Sequence, residues 1–247
     1  VRVVDIAPVM DELRMVKEPG EVEQIRRAGE LAAIGMRAAV GALAPGATER
    51  DVAAEAEYAM RKAGSDGTAT PVYVNSGVRS GWLHGTATRK PLQAGELVVI
   101  DLVPRYQGYC ANLCRTFVIG SATDQQRTLV ETYEAARTSA RQAMRPGVEM
   151  RQIDAAAKAA FEKTGYGEFY VVGISHGIGL SFEETPAPTI KPAEGRVSVR
   201  EGMVLTVGHT VLSVPGLGGV RLEDTYHISP RGPVALTDFP AELVVRG

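Results

Sequence analysis

Two carboxylates stand where a folded chain does not leave a charge alone. Asp101 interrupts the apolar run Leu97-Val98-Val99-Ile100-Asp101-Leu102-Val103. A buried unpaired charge is costly, so Asp101 requires a metal ion, a cationic side chain or strong hydrogen-bond donors. Glu223 poses the same problem within Gly219-Val220-Arg221-Leu222-Glu223-Asp224. The plain alternatives are a pairing of Asp101 with Arg115 or Arg221, and a salt bridge inside the Arg-x-Glu-Asp cluster. For Asp101, spacing alone leaves the two readings level. Of the four histidines, His84 lies in Trp82-Leu83-His84-Gly85-Thr86 and His176 in Ser175-His176-Gly177-Ile178-Gly179-Leu180. Each precedes a glycine, which lets backbone and imidazole approach a small ligand. Imidazole is also the side chain that ordinarily titrates nearest neutrality, as acid–base work requires. A lone histidine is more often structural than functional, but two His-Gly pairs ahead of two strand hairpins shift the balance. His209 and His227 carry less weight, and His227 reads as solvent-facing. Cys110, Asn112 and Cys114 alternate onto one strand face. The two thiols read as buried apolar filler rather than nucleophiles or soft metal ligands. Trp82, beside His84, is either a pocket wall or packing.

The elements that must position these residues repeat. Ala42–Gly64 and Ala143–Gly165 match at an offset of 101 residues, with nine of twenty-three positions identical. Each copy predicts a helix that follows a Pro-Gly turn and stops at a glycine able to take positive φ. A longer amphipathic helix precedes each copy. The first starts at Glu18-Pro19, and the second at Thr123, with Gln126 placed for a capping box. Strands follow each pair, at Leu97–Val103 and Tyr109–Ile119 in the first half and Val204–Val207 and Val220–Ile228 in the second. Ala241–Val245 reads as a sheet edge or tail. Helices segregated from antiparallel hairpins, twice over, imply an α+β domain of two related halves around a cleft.

Composition excludes several classes. The 247 residues are 45% hydrophobic and 23% charged, ordinary for a globular protein and unlike a disordered or fibrous one. A net charge of −2 removes the electrostatic case for a nucleic-acid partner. No apolar run approaches the roughly 18 residues of a membrane-spanning helix. Two cysteines do not make a disulfide framework. The opening Val1-Arg2-Val3, without an initiator Met or a signal-like region, reads as part of a longer cytoplasmic protein. The expected division is a linker over 1–16 and one domain over 17–247, with halves of about 17–120 and 121–240.

Together these segments resemble the domain shared by methionine aminopeptidase, Xaa-Pro aminopeptidase, prolidase and creatinase. The carrying motifs are Val98-Val99-Ile100-Asp101, Tyr109-Cys110-Ala111-Asn112-Leu113-Cys114-Arg115-Thr116-Phe117, His176-Gly177-Ile178-Gly179-Leu180 and Gly219-Val220-Arg221-Leu222-Glu223-Asp224. The resemblance implies the pita-bread fold, in which two α+β halves enclose paired metal ions held by two Asp, one His and two Glu. Asp101, His176 and Glu223 match three of those ligands. The second Asp falls on Asn112 and the first Glu on Gly208. A substrate-binding histidine falls on Glu183, while His84 matches the histidine that contacts substrate in the peptidases and moves protons in creatinase. Creatinase's two active-site glutamates fall on Cys114 and Leu222, so its guanidino chemistry does not carry over. Relatives in this branch are often dimers and usually carry a preceding N-terminal domain.

Charge arithmetic bears on the missing ligands. Four carboxylates balance two divalent ions, whereas Asp101 and Glu223 supply charge for one, and two close cations repel strongly unless bridging anions offset them. His209, next to Gly208, would inherit the site only through a bulge, because neighbours on a strand face opposite ways. Three expectations follow. The first is a metal-independent hydrolase of a C–N bond in a small amide, amidine or peptide-like substrate. His84, Glu183 and Glu223 would be catalytic, with Trp82, Asn112, His176, Glu184 and His209 binding substrate. The second is an Xaa-Pro-type aminopeptidase or dipeptidase with one weakly held Mn, Co or Zn ion on Asp101, His176 and Glu223. The third is a catalytically inactive binding protein. All three expect a small-molecule or short-peptide ligand, no nucleic acid and no membrane, and the resemblance is compatible with a homodimer.

Overall fold

Capping chemistry starts the helices where the sequence predicts them. In the computed structural model, which describes residues 3–171, 173–241 and 243–246, α1 (Ala7–Met15) leads into α2 (Pro19–Ala42) and α3 (Glu49–Lys62). The second half repeats the pair as α4 (Asp124–Ala143) and α5 (Met150–Lys163). The ends of α3 and α5 differ by 101 residues, the offset of the sequence repeat. Capping boxes open α2 (Glu18 with Glu21), α3 (Thr48 with Asp51), α4 (Thr123 with Gln126) and α5 (Glu149 with Gln152). Each satisfies backbone N–H groups that a helix start leaves free.

Among the described residues the strands build one four-stranded sheet, two three-stranded sheets and a two-stranded hairpin. In the first half, β1 (Gly67–Thr68), β2 (Tyr73–Ser76), β3 (Leu97–Leu102), β4 (Pro104–Tyr106), β5 (Tyr109–Cys110) and β6 (Leu113–Ile119) alternate between a four-stranded sheet and a small three-stranded one. In the second half, β7 (Val204–Val207), β8 (Leu212–Val214), β9 (Gly218–Val220), β10 (Asp224–Ser229) and β11 (Gly232–Ala235) form the order β11-β10-β7 and the hairpin β8-β9. The C-terminal β12 (Val244–Arg246) returns to pair parallel with β6, giving the order β12-β6-β3-β2.

Period-2 alternation divides β3 between two environments. Val98, Ile100 and Leu102 pack with Ala32, Met36, Val52 and Met60 of α2 and α3. Leu97, on the opposite face, joins the core of α4, α5, β7 and β10, and Asp101 shares that face. A third cluster, including Ile25, Val103, Ile178 and Val204, spans the two halves. Two of the expected strands are broken. The run 109–119 pauses between β5 and β6 at Ala111 and Asn112, and 220–228 pauses between β9 and β10 at residues 221–223. The second break is where Glu223 leaves the hairpin to exchange backbone hydrogen bonds with Cys114, at 3.0 Å each way. That bridge fastens one half to the other.

Residues 1–16, expected as a linker, include α1, which is largely exposed and meets the domain at its C-terminal end. Met15 is buried, Val16 bridges Met203, and the Lys17 N–H donates to the Gly202 carbonyl at 2.9 Å. Asp224 provides a further tie. Its buried carboxylate accepts from Arg115 (2.8 Å), from Thr237 (2.7 Å) and from Arg137 of α4. Removing one member of a buried ionic cluster leaves the others unpaired. Asp224→Asn should therefore lower unfolding stability by about 3–5 kcal/mol. Exposed Asp238→Asn should stay within about 0.5 kcal/mol, both read by urea denaturation.

Candidate active site

The break between β9 and β10 sends Arg221 into the space between the halves. Its backbone is held by Thr116, whose hydroxyl accepts from the Arg221 N–H (3.0 Å) and donates to the Arg221 carbonyl (2.9 Å). The fully buried guanidinium donates to Asp101 Oδ2 at 2.8 Å, to Glu223 Oε2, and to the Leu83 carbonyl at 3.3 Å. Asp101 Oδ1 accepts from Asn112 Nδ2 at 2.5 Å. Both oxygens of Asp101 are thus engaged by protein donors. The alternative weighed from sequence, an arginine partner, is the one seen. Burial raises the Asp101 carboxyl above its ordinary range against the pull of Arg221, whereas the Glu223 carboxyl, equally buried, is held well below its range by Arg221 and His176.

Glu223 keeps one oxygen facing the histidines. His176 Nδ1 lies 2.9 Å from the Gly177 carbonyl, which selects the tautomer with hydrogen on Nδ1 and turns Nε2 towards Glu223 Oε1 at 3.5 Å. Among the described residues, neither Nε2 nor Oε1 has a hydrogen-bond partner, although both are buried. Two buried acceptors facing each other are relieved by a positive particle between them. A proton is one such particle. Burial alone would depress the His176 pKa, but Glu223 outweighs it and raises the value. A divalent cation is the other.

His209 completes this cluster, contrary to the expectation that a strand neighbour of Gly208 faces away. The strand β7 ends at Val207, and Gly208 takes φ 118°. Its N–H and that of His209 both donate to the Ile174 carbonyl, at 2.7 and 3.1 Å. The turn swings the imidazole inward, against His176 (ring centroids 4.6 Å) and 3.9 Å from Glu223 Oε1. Burial, with the charges of His176 and Arg221, pushes the His209 pKa well below its usual value. Donor atoms of His176, His209 and Glu223 all lie within 4.8 Å of one another. Two imidazoles and one carboxylate form a recognised ligand set for zinc and similar ions.

The remaining expected residues divide. His84 stands at the mouth, packed against Tyr73, Phe182 and His209 (ring centroids 5.5, 6.3 and 5.6 Å). His84 is exposed, but partial desolvation of its ring and the charge of Arg221 hold its pKa below the usual value. Trp82 is exposed and stacks on the Arg79 guanidinium at 4.4 Å. Glu183 is half-buried with Oε1 unpartnered. Glu184, expected to bind substrate, pairs with Lys17 Nζ (2.8 Å) and Arg14, which ties its loop to the N-terminal segment. The glycines after His84 and His176 serve close packing rather than ligand approach. A Cβ on Gly85 would strike Asn75, and one on Gly177 would meet the carbonyls of residues 184 and 185 at 2.7 and 2.6 Å. Sequence reasoning named Arg221 as one of two candidate partners for Asp101, and did not select Tyr73 or Phe182 as site residues. Tyr73 could have been found from register, since it pairs with Asp101 across β2 and β3.

Comparison with known proteins identifies the family. The sequence profile of metallopeptidase family M24 matches residues 23–230. The chain is 36% identical over 239 residues to the Xaa-Pro dipeptidase of Pyrococcus furiosus, covering 97% of this chain and 68% of that protein. It is 35% identical to the Xaa-Pro dipeptidase of Pyrococcus horikoshii, covering 96% and 66%. The crystal structure of an X-Pro aminopeptidase from Thermotoga maritima superposes with a TM-score of 0.92 at 32% identity, over 99% of this chain and 68% of that one. The chain belongs to metallopeptidase family M24, and its α+β architecture is the pita-bread fold of these peptidases. It spans about two thirds of the length of these curated relatives.

Gly208 decides what the site can become. A Cβ there would land inside the van der Waals envelope of the Leu222 carbonyl, and its positive φ is strained for any other residue. Gly208→Ala should lower unfolding stability by roughly 2–4 kcal/mol. Gly208→Glu should fare no better, although it supplies a carboxylate where the family resemblance implies one. Gly216→Ala, at φ 79° but with open space around it, should cost only about 1 kcal/mol. Thermal and urea unfolding of the three variants checks the ranking.

Proposed function

We propose that this chain is an Xaa-Pro-type dipeptidase whose centre holds a single divalent ion on His176, His209 and Glu223. The observation that carries the reading is the pair of unsatisfied buried acceptors, His176 Nε2 and Glu223 Oε1, with His209 beside them. Family membership and the relatives named Xaa-Pro dipeptidase support the substrate class. The residues fit one ion and not two. Asp101 is committed to Arg221 and Asn112, Asn112 is neutral, and Gly208 has no side chain. Arg221 also contributes a fixed positive charge beside Glu223, which weakens attraction for any incoming cation.

When bound, the ion would polarise the scissile carbonyl and activate water. The chain does the rest. Glu183, with a free buried oxygen, accepts a proton from the attacking water. Glu183 then passes that proton to the departing nitrogen, while neutral His84 at the mouth hydrogen-bonds the substrate; positioned proton transfer of this kind contributes about 10²-fold or more. Tyr73, Phe182 and Trp82 line the approach.

A second reading, the metal-independent C–N hydrolase expected from sequence, is favoured by one observation: Arg221 already supplies a cation between Asp101 and Glu223. Calorimetric titration with Mn²⁺ or Zn²⁺ separates the two. The proposal expects one ion per chain, loss of binding in His176→Ala, and hydrolysis of Xaa-Pro dipeptides that stops in chelator. Hydrolysis that persists in chelator but falls about 10²-fold in His84→Ala would replace it with the second reading.

A further inference from the structure

We propose that Glu49 is a positioning residue, a buried carboxylate that closes the segment 76–88 onto α3 and so sets where Trp82 and His84 stand at the mouth of the site. Glu49 is the first residue of α3, and its side chain is fully buried. Its Oε1 accepts from the Ser76 N–H (2.9 Å) and hydroxyl (3.0 Å), and its Oε2 from the Thr88 N–H (3.0 Å) and hydroxyl (2.7 Å). The departure and return of the loop therefore meet on one carboxyl group. A third partner comes from inside the loop. Arg79 Nε lies 3.2 and 3.3 Å from the two oxygens.

Arg79 carries the hold further. Its Nη2 donates to the Thr86 carbonyl at 2.7 Å and to Asn75 Oδ1 at 3.3 Å, and its guanidinium plane lies over the Trp82 ring. His84 is thereby bracketed on both sides, by Trp82 and by Thr86, through one arginine whose own orientation depends on Glu49. From the site side, Arg221 fixes the Leu83 carbonyl at 3.3 Å. Glu49 is suited to this task in its ionised form. Burial opposes the charge, but the hydrogen bonds from Thr88 and Ser76 hold its pKa below the usual carboxylate value. The helix N-terminus adds to the preference for an anion. A neutral amide would turn an N–H₂ group towards N–H and O–H donors, which breaks the arrangement rather than weakening it.

The inference rests on His84 facing the reactive cluster and does not depend on which reaction occurs there. Trp82 is the one tryptophan in the sequence, so its fluorescence reports the loop directly. In the full chain, Glu49→Gln should raise the acrylamide quenching constant of Trp82 about twofold or more, with faster amide exchange confined to the peptide covering 77–88. Val52→Ala, a buried cavity on the same helix, is the control. It should lower the melting temperature yet leave both signals unchanged. Thr88→Val, which keeps the Thr88 amide bond but loses the hydroxyl one, should give a smaller rise. If Glu49→Gln folds with native quenching, or if Val52→Ala raises quenching equally, the assignment is overturned. If Glu49→Gln does not fold, Thr88→Val decides: native quenching and exchange there overturn the assignment as well. Metal titration or peptide hydrolysis can fail without touching either signal, so the two accounts stand or fall separately.

Discussion

One guanidinium between two buried carboxylates organises this molecule. Asp101 belongs to the first half and Glu223 to the second, and Arg221 bonds both while fully buried itself. Removing such charges from water costs several kcal/mol per ion, and only close, correctly oriented partners offset it. A planar fork can meet two acceptors at once, which a lysine ammonium does less well. The geometry needs Arg221 to stand off the regular ladder, and the gap between β9 and β10 provides that. Thr116 on one side and the Cys114–Glu223 bridge on the other fix the gap. Local irregularity, inter-half cohesion and charge balance are thus a single feature.

The same feature limits what the centre can hold. Arg221 engages Asp101 and one oxygen of Glu223, which leaves a single anionic oxygen for another cation. Opposite it, the turn at Gly208 brings His209 beside His176. Two neutral donors replace carboxylate charge with lone pairs, and lone pairs alone do not offset the repulsion of two neighbouring divalent ions. Site chemistry in this chain therefore follows from backbone shape as much as from side-chain identity. The conformation at residue 208 that admits His209 also excludes any side chain at 208.

Much of the fold was legible because it rests on local rules. The Pro-Gly turns ahead of α3 and α5, the Glu18-Pro19 start, the Thr123 cap, the internal repeat and the apolar period of β3 each specify their element without knowledge of the rest. The buried predicament of Asp101 and Glu223 was legible for the same reason. What could not be read was the outcome of competition among partners far apart in sequence. Arg115 and Arg221 are equivalent on paper, yet Arg115 turns to Asp224 and to the backbone near Pro240, while Arg221 takes both site carboxylates. Glu184 was placed with the substrate because nothing in its own segment announces Arg14 and Lys17. His209 depended on the φ of its neighbour, which period-2 reasoning on an unbroken strand does not contain.

Anomalous diffraction from crystals grown with Zn²⁺, recorded across the zinc edge, tests the central claim most directly. The account predicts one peak, among His176, His209 and Glu223, with Arg221 still bonded to Asp101. A pair of peaks, with Arg221 displaced and Asp101 coordinating, would contradict it.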